Sequence, residues 1–84
     1  MKAIQSILKE IEEIAFKVAG EHWLLPGVSV TSESDGIHLF LETDVITLEY
    51  LNDLNEELKK IGFRIGDIHP NEDGFDILLE EVKK

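Results

Sequence analysis

An Asp-Gly pair set between two alternating runs, in the segment Val28 to Thr43 (VSVTSESDGIHLFLET), limits this chain more than any other feature. A type I′ hairpin turn needs φ > 0 at both central positions, and Asp-Gly is among the pairs that tolerate it. With Asp35 and Gly36 at the turn, Ser34 is expected to face Ile37, Ser32 to face Leu39, Val30 to face Leu41 and Val28 to face Thr43. Residues opposite each other share a side of the sheet. One side then collects Val28, Val30, Ile37, Leu39 and Leu41, and the other Ser29, Thr31, Glu33, His38, Phe40 and Glu42. A slip of one residue would turn the apolar set to solvent. On the polar side His38 is expected to face Glu33, and Phe40 is the one apolar residue.

A long amphipathic helix flanks the hairpin on either side. Ile4, Ile7, Leu8, Ile11, Ile14, Ala15 and Val18 recur at three- and four-residue spacing, predicting a helix from about residue 2 to 19. Gly20 stands where a left-handed cap is expected. The stripe covers fewer than three heptads, which favours packing on a core over a coiled coil. Glu21 to Gly27 (EHWLLPG) is a connector ended by Pro26 and Gly27, and Trp23, Leu24 and Leu25 are expected to close one end of the core. The other reading of this segment is an exposed anchor, since aromatic side chains are favoured in binding hot spots. After the hairpin, Thr47 is the expected N-cap of a second helix, with Glu49 in its first turn. Leu48, Leu51, Leu54, Leu58 and Ile61 form its stripe, and Gly62 its stop.

Phe63 to His69 (FRIGDIH) predicts a third strand whose phase shifts at Gly66, where a bulge is expected. Pro70 to Gly74 is a turn. Phe75 to Val82 (FDILLEEV) predicts a fourth strand, with Phe75, Ile77 and Leu79 on one face and Leu78 and Val82 on the other. Apolar residues on both faces are the mark of a central strand. Glu81, in phase with the core set, predicts that the strand outruns the core.

The order is thus α-β-β-α-β-β in one domain, residues 1–84. Two apolar stripes and one apolar sheet face are satisfied together by an α+β two-layer sandwich, with both helices on one face of a four-stranded sheet. The order is also that of a circularly permuted ferredoxin-like chain. It predicts the last strand between the third and the second, and parallel to the second. Phe40 and Leu78 then become neighbours on the helix-free face.

The charge balance narrows the partners. Eighteen acidic against eight basic residues give a net charge of −10. Direct binding of nucleic acid or of an anionic membrane needs Lys/Arg clusters and is not expected. A protein partner with a basic surface is. The plainer explanation of the charge is a solvated acidic surface that favours solubility. No apolar run reaches the length of a membrane span, and the start lacks the apolar core of a signal peptide. The chain has no cysteine, which fits a reducing, cytoplasmic setting.

Chemistry is sparse. His22, His38 and His69 lack the spacing of a helix-borne metal site. Asn71-Glu72-Asp73-Gly74 lacks the alternating ligands of a calcium loop. The serines of the first strand have no GxSxG elbow, and the glycines form neither GxGxxG nor a P-loop. No catalytic residue, metal or cofactor is expected, and an enzyme is not. A ligand pocket near Trp23 is the remaining opening for one. The order helix, hairpin, helix, strand, with ITLEYLNDLNEELKKIG after the hairpin, resembles the N-terminal half of bacterial ribosome maturation factors over about half the chain. That family's Ser-Pro-Gly signature is missing, and no function is carried over.

Two surfaces remain as candidates. The first is an acidic ridge of Glu49, Asp53, Glu56 and Glu57 on the second helix, joined by Glu72, Asp73 and Asp76. It would serve a small acidic binding protein that inhibits or escorts a basic nucleic-acid-handling protein by presenting phosphate-like charge, as a DNA mimic would; nuclease inhibitors, immunity proteins and anti-defence (including anti-CRISPR) proteins have this size and charge. The second is the open sheet face with Phe40 and Leu78, the seat of a partner or of a homodimer.

Overall fold

The computed structural model describes residues 4–82. The elements are α1 (Ile4–Glu21), β1 (Gly27–Glu33), β2 (Gly36–Glu42), α2 (Leu48–Lys59), β3 (Phe63–Pro70) and β4 (Phe75–Glu81). The start expected for the first helix, at residue 2, lies outside the described residues.

The strands form one sheet of order β1-β2-β4-β3 in which every neighbouring pair is antiparallel. The last strand does sit between the second and third, but it runs antiparallel to the second and not parallel. Crossing over through α2 makes β3 parallel to β2. The β3–β4 hairpin then reverses the chain once more, so β4 opposes both of its neighbours.

Ile37, Leu39 and Leu41 of β2 and Ile77 and Leu79 of β4 share one buried core with Ile11, Ala15, Val18 and Ala19 of α1 and Tyr50, Leu54 and Leu58 of α2. Both helices therefore lie on the same face of the sheet. Half-buried Val28, Val30, Ile65 and Ile68 pack around this core from the two edge strands. The register between β3 and β4 shifts between Ile65 and Asp67, and this bulge turns both Ile65 and Ile68 inward. Glu81 is exposed at the end of β4, past the core.

The hairpin register differs from expectation by two residues. Glu33 faces Gly36, Ser32 faces Ile37, Thr31 faces His38, Val30 faces Leu39 and Val28 faces Leu41. The loop is Ser34-Asp35. Neither residue has positive φ; that falls on Gly36 (136°), as in hairpins closed by a glycine after the turn. Side chains alternate with period two, so a two-residue shift leaves each on its expected face.

At the end of α1 the helix runs through Gly20, and the left-handed residue is Trp23, with φ 61°. The Leu24 N–H donates to the Ala19 carbonyl at 2.8 Å and the Trp23 N–H to the Gly20 carbonyl at 3.2 Å. This is a Schellman cap with tryptophan where glycine is usual. Leu24 folds back onto the core, as that motif requires, while Trp23 and Leu25 are 94% and 89% exposed. They do not close the core.

At the start of α2 the Thr47 Oγ1 accepts from the Tyr50 N–H at 3.1 Å, the expected N-cap. The buried line of this helix is Tyr50, Leu54 and Leu58, with Leu48 75% exposed. The buried line is rotated from the leucine pattern because the large Tyr50 ring takes the core position, and its hydroxyl donates to the Ala15 carbonyl at 3.1 Å. Beyond the helix Gly62 takes the left-handed conformation (φ 89°).

Candidate interaction surfaces

The expected acidic ridge divides between two layers. Glu49, Asp53 and Glu56 are exposed on α2 and Glu57 is half-buried there. Glu72 and Asp73 lie on the β3–β4 turn, where the Asn71 Oδ1 accepts from the Asp73 and Gly74 N–H groups at 3.0 Å each. Asp76 is on β4 with its side chain on the opposite, helix-free face, paired with Phe40 across the ladder. It is therefore no part of the ridge. Its phase along β4 is that of Leu78, which is the signal that could have excluded it.

Several ridge carboxylates are already engaged. The Asp53 Oδ2 is 2.7 Å from the His22 Nε2, which ties the connector to α2. His22 also meets the Tyr50 ring edge-on, with centroids 6.2 Å apart. The Lys60 Nζ donates to Glu57 at 2.6 Å and the Lys59 Nζ to Glu56 at 3.3 Å. The bond to Lys60 holds the Glu57 carboxyl below its ordinary range, and the same pair holds the Lys60 ammonium above its own. The ridge is most strongly negative toward the start of α2.

On the open sheet face Phe40 and Leu78 are both half-buried. They are diagonal neighbours: Leu78 stands opposite His38, and Phe40 opposite Asp76. His38 occupies the centre of this face. Its Nε2 is 2.8 Å from Asp35 and its Nδ1 3.1 Å from Asp76. His38 thus meets two carboxylates, and Glu33, its expected partner, is not one of them. Asp35, in the loop three residues before His38, is within reach of its Nε2.

Hydrogen bonds to Asp35 first, and then to Asp76, raise the His38 pKa, and the bond to His38 lowers that of Asp35. A raised histidine pKa stabilises the fold fully below the unfolded value of about 6.5, and this contribution fades as pH rises through the folded value. The depressed Asp35 pKa acts at the other end, stabilising above about pH 4 and fading as pH falls. Wild-type thermal midpoints are expected to fall as pH rises from about 6 to 9. His38→Gln should flatten that slope, and an unchanged slope in the variant would exclude the cluster as its cause.

No group of His, Asp and Glu among the described residues could hold a metal ion. His22, His38 and His69 share no carboxylate: His22 is beside Asp53, His38 beside Asp35 and Asp76, and His69 beside Asp67 at 2.9 Å. Trp23, beside which a ligand pocket was considered, projects into solvent. No described helix is long and apolar enough to cross a membrane.

Of the two readings of the connector, core closure or an exposed segment, the structure shows the exposed one, and it adds residues that sequence reasoning did not group with it. Besides Trp23 and Leu25, the large apolar side chains Val45 (58%) and Leu48 (75%) are exposed. The available signal was the Pro26-Gly27 pair two residues after Trp23-Leu24, which leaves the connector too short to fold all its apolar side chains back onto the core. Comparison with protein-family models, with curated proteins and with solved structures finds no match for this chain.

Proposed function

We propose that this protein is a small acidic binding protein without enzymatic activity, and that it inhibits a basic, nucleic-acid-handling protein. Anti-defence (including anti-CRISPR), immunity and nuclease-inhibitor proteins are the functional types this describes. Its carboxylates would occupy sites that the partner uses for phosphates, and steering by charge would speed association. The observation that carries the reading is the excess of ten negative charges together with the exposed Glu49, Asp53 and Glu56 on one helix. A cytoplasmic setting goes with the cysteine-free sequence. The fold that goes with it is a circularly permuted ferredoxin-like one. Moving the first strand of a βαββαβ chain to its end yields the order β1-β2-β4-β3 with antiparallel neighbours, which supports this assignment.

The alternative, a homodimer through the open sheet face, has less support. Phe40 and Leu78 are half-buried and flanked by the ionic His38 cluster, which would have to be desolvated. The acidic reading is tested by immobilising the chain and applying the heparin-binding fraction of a cell extract. Basic proteins should be retained and released by salt. The double reversal Glu49→Lys with Glu56→Lys should weaken retention by about tenfold, since each exposed charge contributes on the order of 0.7 kcal/mol. Equal retention by the variant would rule the reading out.

A further inference from the structure

We infer that the end of the molecule where α1 closes and α2 opens is a docking surface, anchored by Trp23 and Leu25, for a cationic amphipathic segment of another protein. The acidic-binder reading supplies only the sign of the partner's charge. The place and the apolar character come from the fold.

The register brings this end together. Gly27, at the start of β1, faces Glu42, at the end of β2. Leu41 faces Phe75, at the start of β4, and Gly74 lies against the backbone of Leu41 and Glu42. His22 binds Asp53 in the first half of α2. The connector after α1, the β2–α2 loop and the β3–β4 turn therefore share one pole. Among the described residues, four of the seven exposed large apolar side chains are on it: Trp23, Leu25, Val45 and Leu48. Clustered apolar exposure of this kind marks interaction sites, whereas isolated exposed leucines are ordinary.

Two observations separate this pole from incidental exposure. First, the chain carries a cost there that folding does not require. A left-handed backbone is disfavoured for any residue with a Cβ, and the Schellman position normally takes glycine. Here it takes tryptophan, whose side chain is left in solvent. Strain of this sort gathers at binding sites, where presentation of a side chain is what is gained. The loops are also braced. Thr43 Oγ1 donates to the Val45 carbonyl at 3.2 Å and accepts from the Val45 N–H at 3.3 Å, and the connector is held by His22 and the Schellman bonds.

Second, the charge around the apolar group has one sign. The segments 21–27, 42–49 and 71–75 contain Glu21, Glu42, Asp44, Glu49, Glu72 and Asp73, and no Lys or Arg. An apolar centre with a wholly acidic rim fits an apolar face edged by Lys and Arg, the pattern of a cationic amphipathic helix. The same rim opposes a second copy of this chain and an anionic membrane.

Trp23 is the only tryptophan, so its emission reports on this surface alone. The probe is a tryptophan-free synthetic peptide with leucine and lysine at helical spacing. Adding it to the full chain should shift Trp23 emission to shorter wavelength and saturate. Leu25→Ser with Leu48→Ser should lower the affinity at least tenfold without moving the thermal midpoint, because both side chains are exposed. Trp23→Gly, followed by calorimetry, should lose affinity at least tenfold and yet raise the thermal midpoint by a few degrees, as the left-handed cost is removed.

An equal response to a lysine-only peptide, or affinity untouched by the Leu25/Leu48 pair, overturns the inference and leaves the acidic-binder reading standing. Peptide binding that persists undiminished at about 0.5 M salt overturns the cationic partner, and with it that wider reading. A blue shift with neutral phosphatidylcholine vesicles, or with rising concentration of the chain alone, assigns the surface to lipid or to a second copy and also overturns it. No emission change with any peptide does the same.

Discussion

Gly74→Ala should leave little folded protein. A Cβ at this position would collide with the carbonyl oxygen of Leu41 and stand 3.0 Å from the Cα of Glu42. Both are main-chain atoms of β2, a strand paired on both sides, and neither can turn aside as a side chain would. Relief requires moving β2 or prising the start of β4 away from it. The turn resists the second course: the Asn71 N–H donates to the Gly74 carbonyl at 2.8 Å, and the Asn71 side chain accepts from the Gly74 N–H. Overpacking against side chains costs about 1–3 kcal/mol, and a main-chain collision should reach or exceed the top of that range. A domain of this size holds only about 5 kcal/mol in reserve. Urea unfolding should give a sharply lowered midpoint. Gly20→Ala is the control. Its Cβ would have nothing within 4 Å, and it lies inside α1, so it should stabilise by about 0.5–1 kcal/mol. Equal midpoints for the two variants would refute the close approach.

Tyr50→Ala is the second large effect. The ring is 1% exposed and packs among both helices and the sheet, so its loss should cost about 3–5 kcal/mol. Tyr50→Phe separates the hydroxyl from the ring. It removes only the bond to the Ala15 carbonyl and should cost about 1 kcal/mol. The Ala15 carbonyl belongs to α1, so this bond is a direct tie between the two helices. Burial pushes the Tyr50 phenol well above its usual pKa. The hydroxyl therefore stays a donor throughout the range in which the protein is handled. If Tyr50→Phe costs as much as Tyr50→Ala, the helices are registered by the hydroxyl and not by ring packing.

What the sequence made legible follows from periodicity. The two helices, the four strands, the central place of β4, the bulge at Gly66 and the cap at Thr47 were all readable. Each rests on a local pattern: spacing of apolar residues, a phase shift, a side chain able to accept at a helix start. The faces of the hairpin survived a wrong register because alternation has period two, whereas the partners of individual residues did not. His38 shows the difference. Its face was right, and its partners Asp35 and Asp76 came from the true turn and from a strand far away in the sequence. Strand direction was misjudged because it depends on counting every reversal between two strands, and the last hairpin was left out. Trp23 and Leu48 were misplaced for another reason. Apolar composition predicts burial on average, and these residues run against it where the fold presents them to solvent. Of the proposed ridge, four acids lie on α2, as helical spacing implied, whereas Asp76 is on the helix-free face of β4, since a strand alternates faces.

The sheet has two free borders, and they are finished unequally. Along β3 the pairing surface is spoiled for any newcomer. The bulge kinks it, Pro70 offers no donor, and the N–H groups of Ile65 and Ile68 are taken by Asn55 and Asp67. Along β1 the register runs unbroken from Gly27 to Glu33, with no proline, lysine or arginine in the strand. Growth of a fibre by adding sheet to sheet needs two competent borders on every copy. This chain has one. Copies that met edge to edge could join only β1 to β1, and such a pair has no open ladder left, so the assembly would stop at two. Closing a single border is enough to make this fold safe against runaway stacking at high concentration.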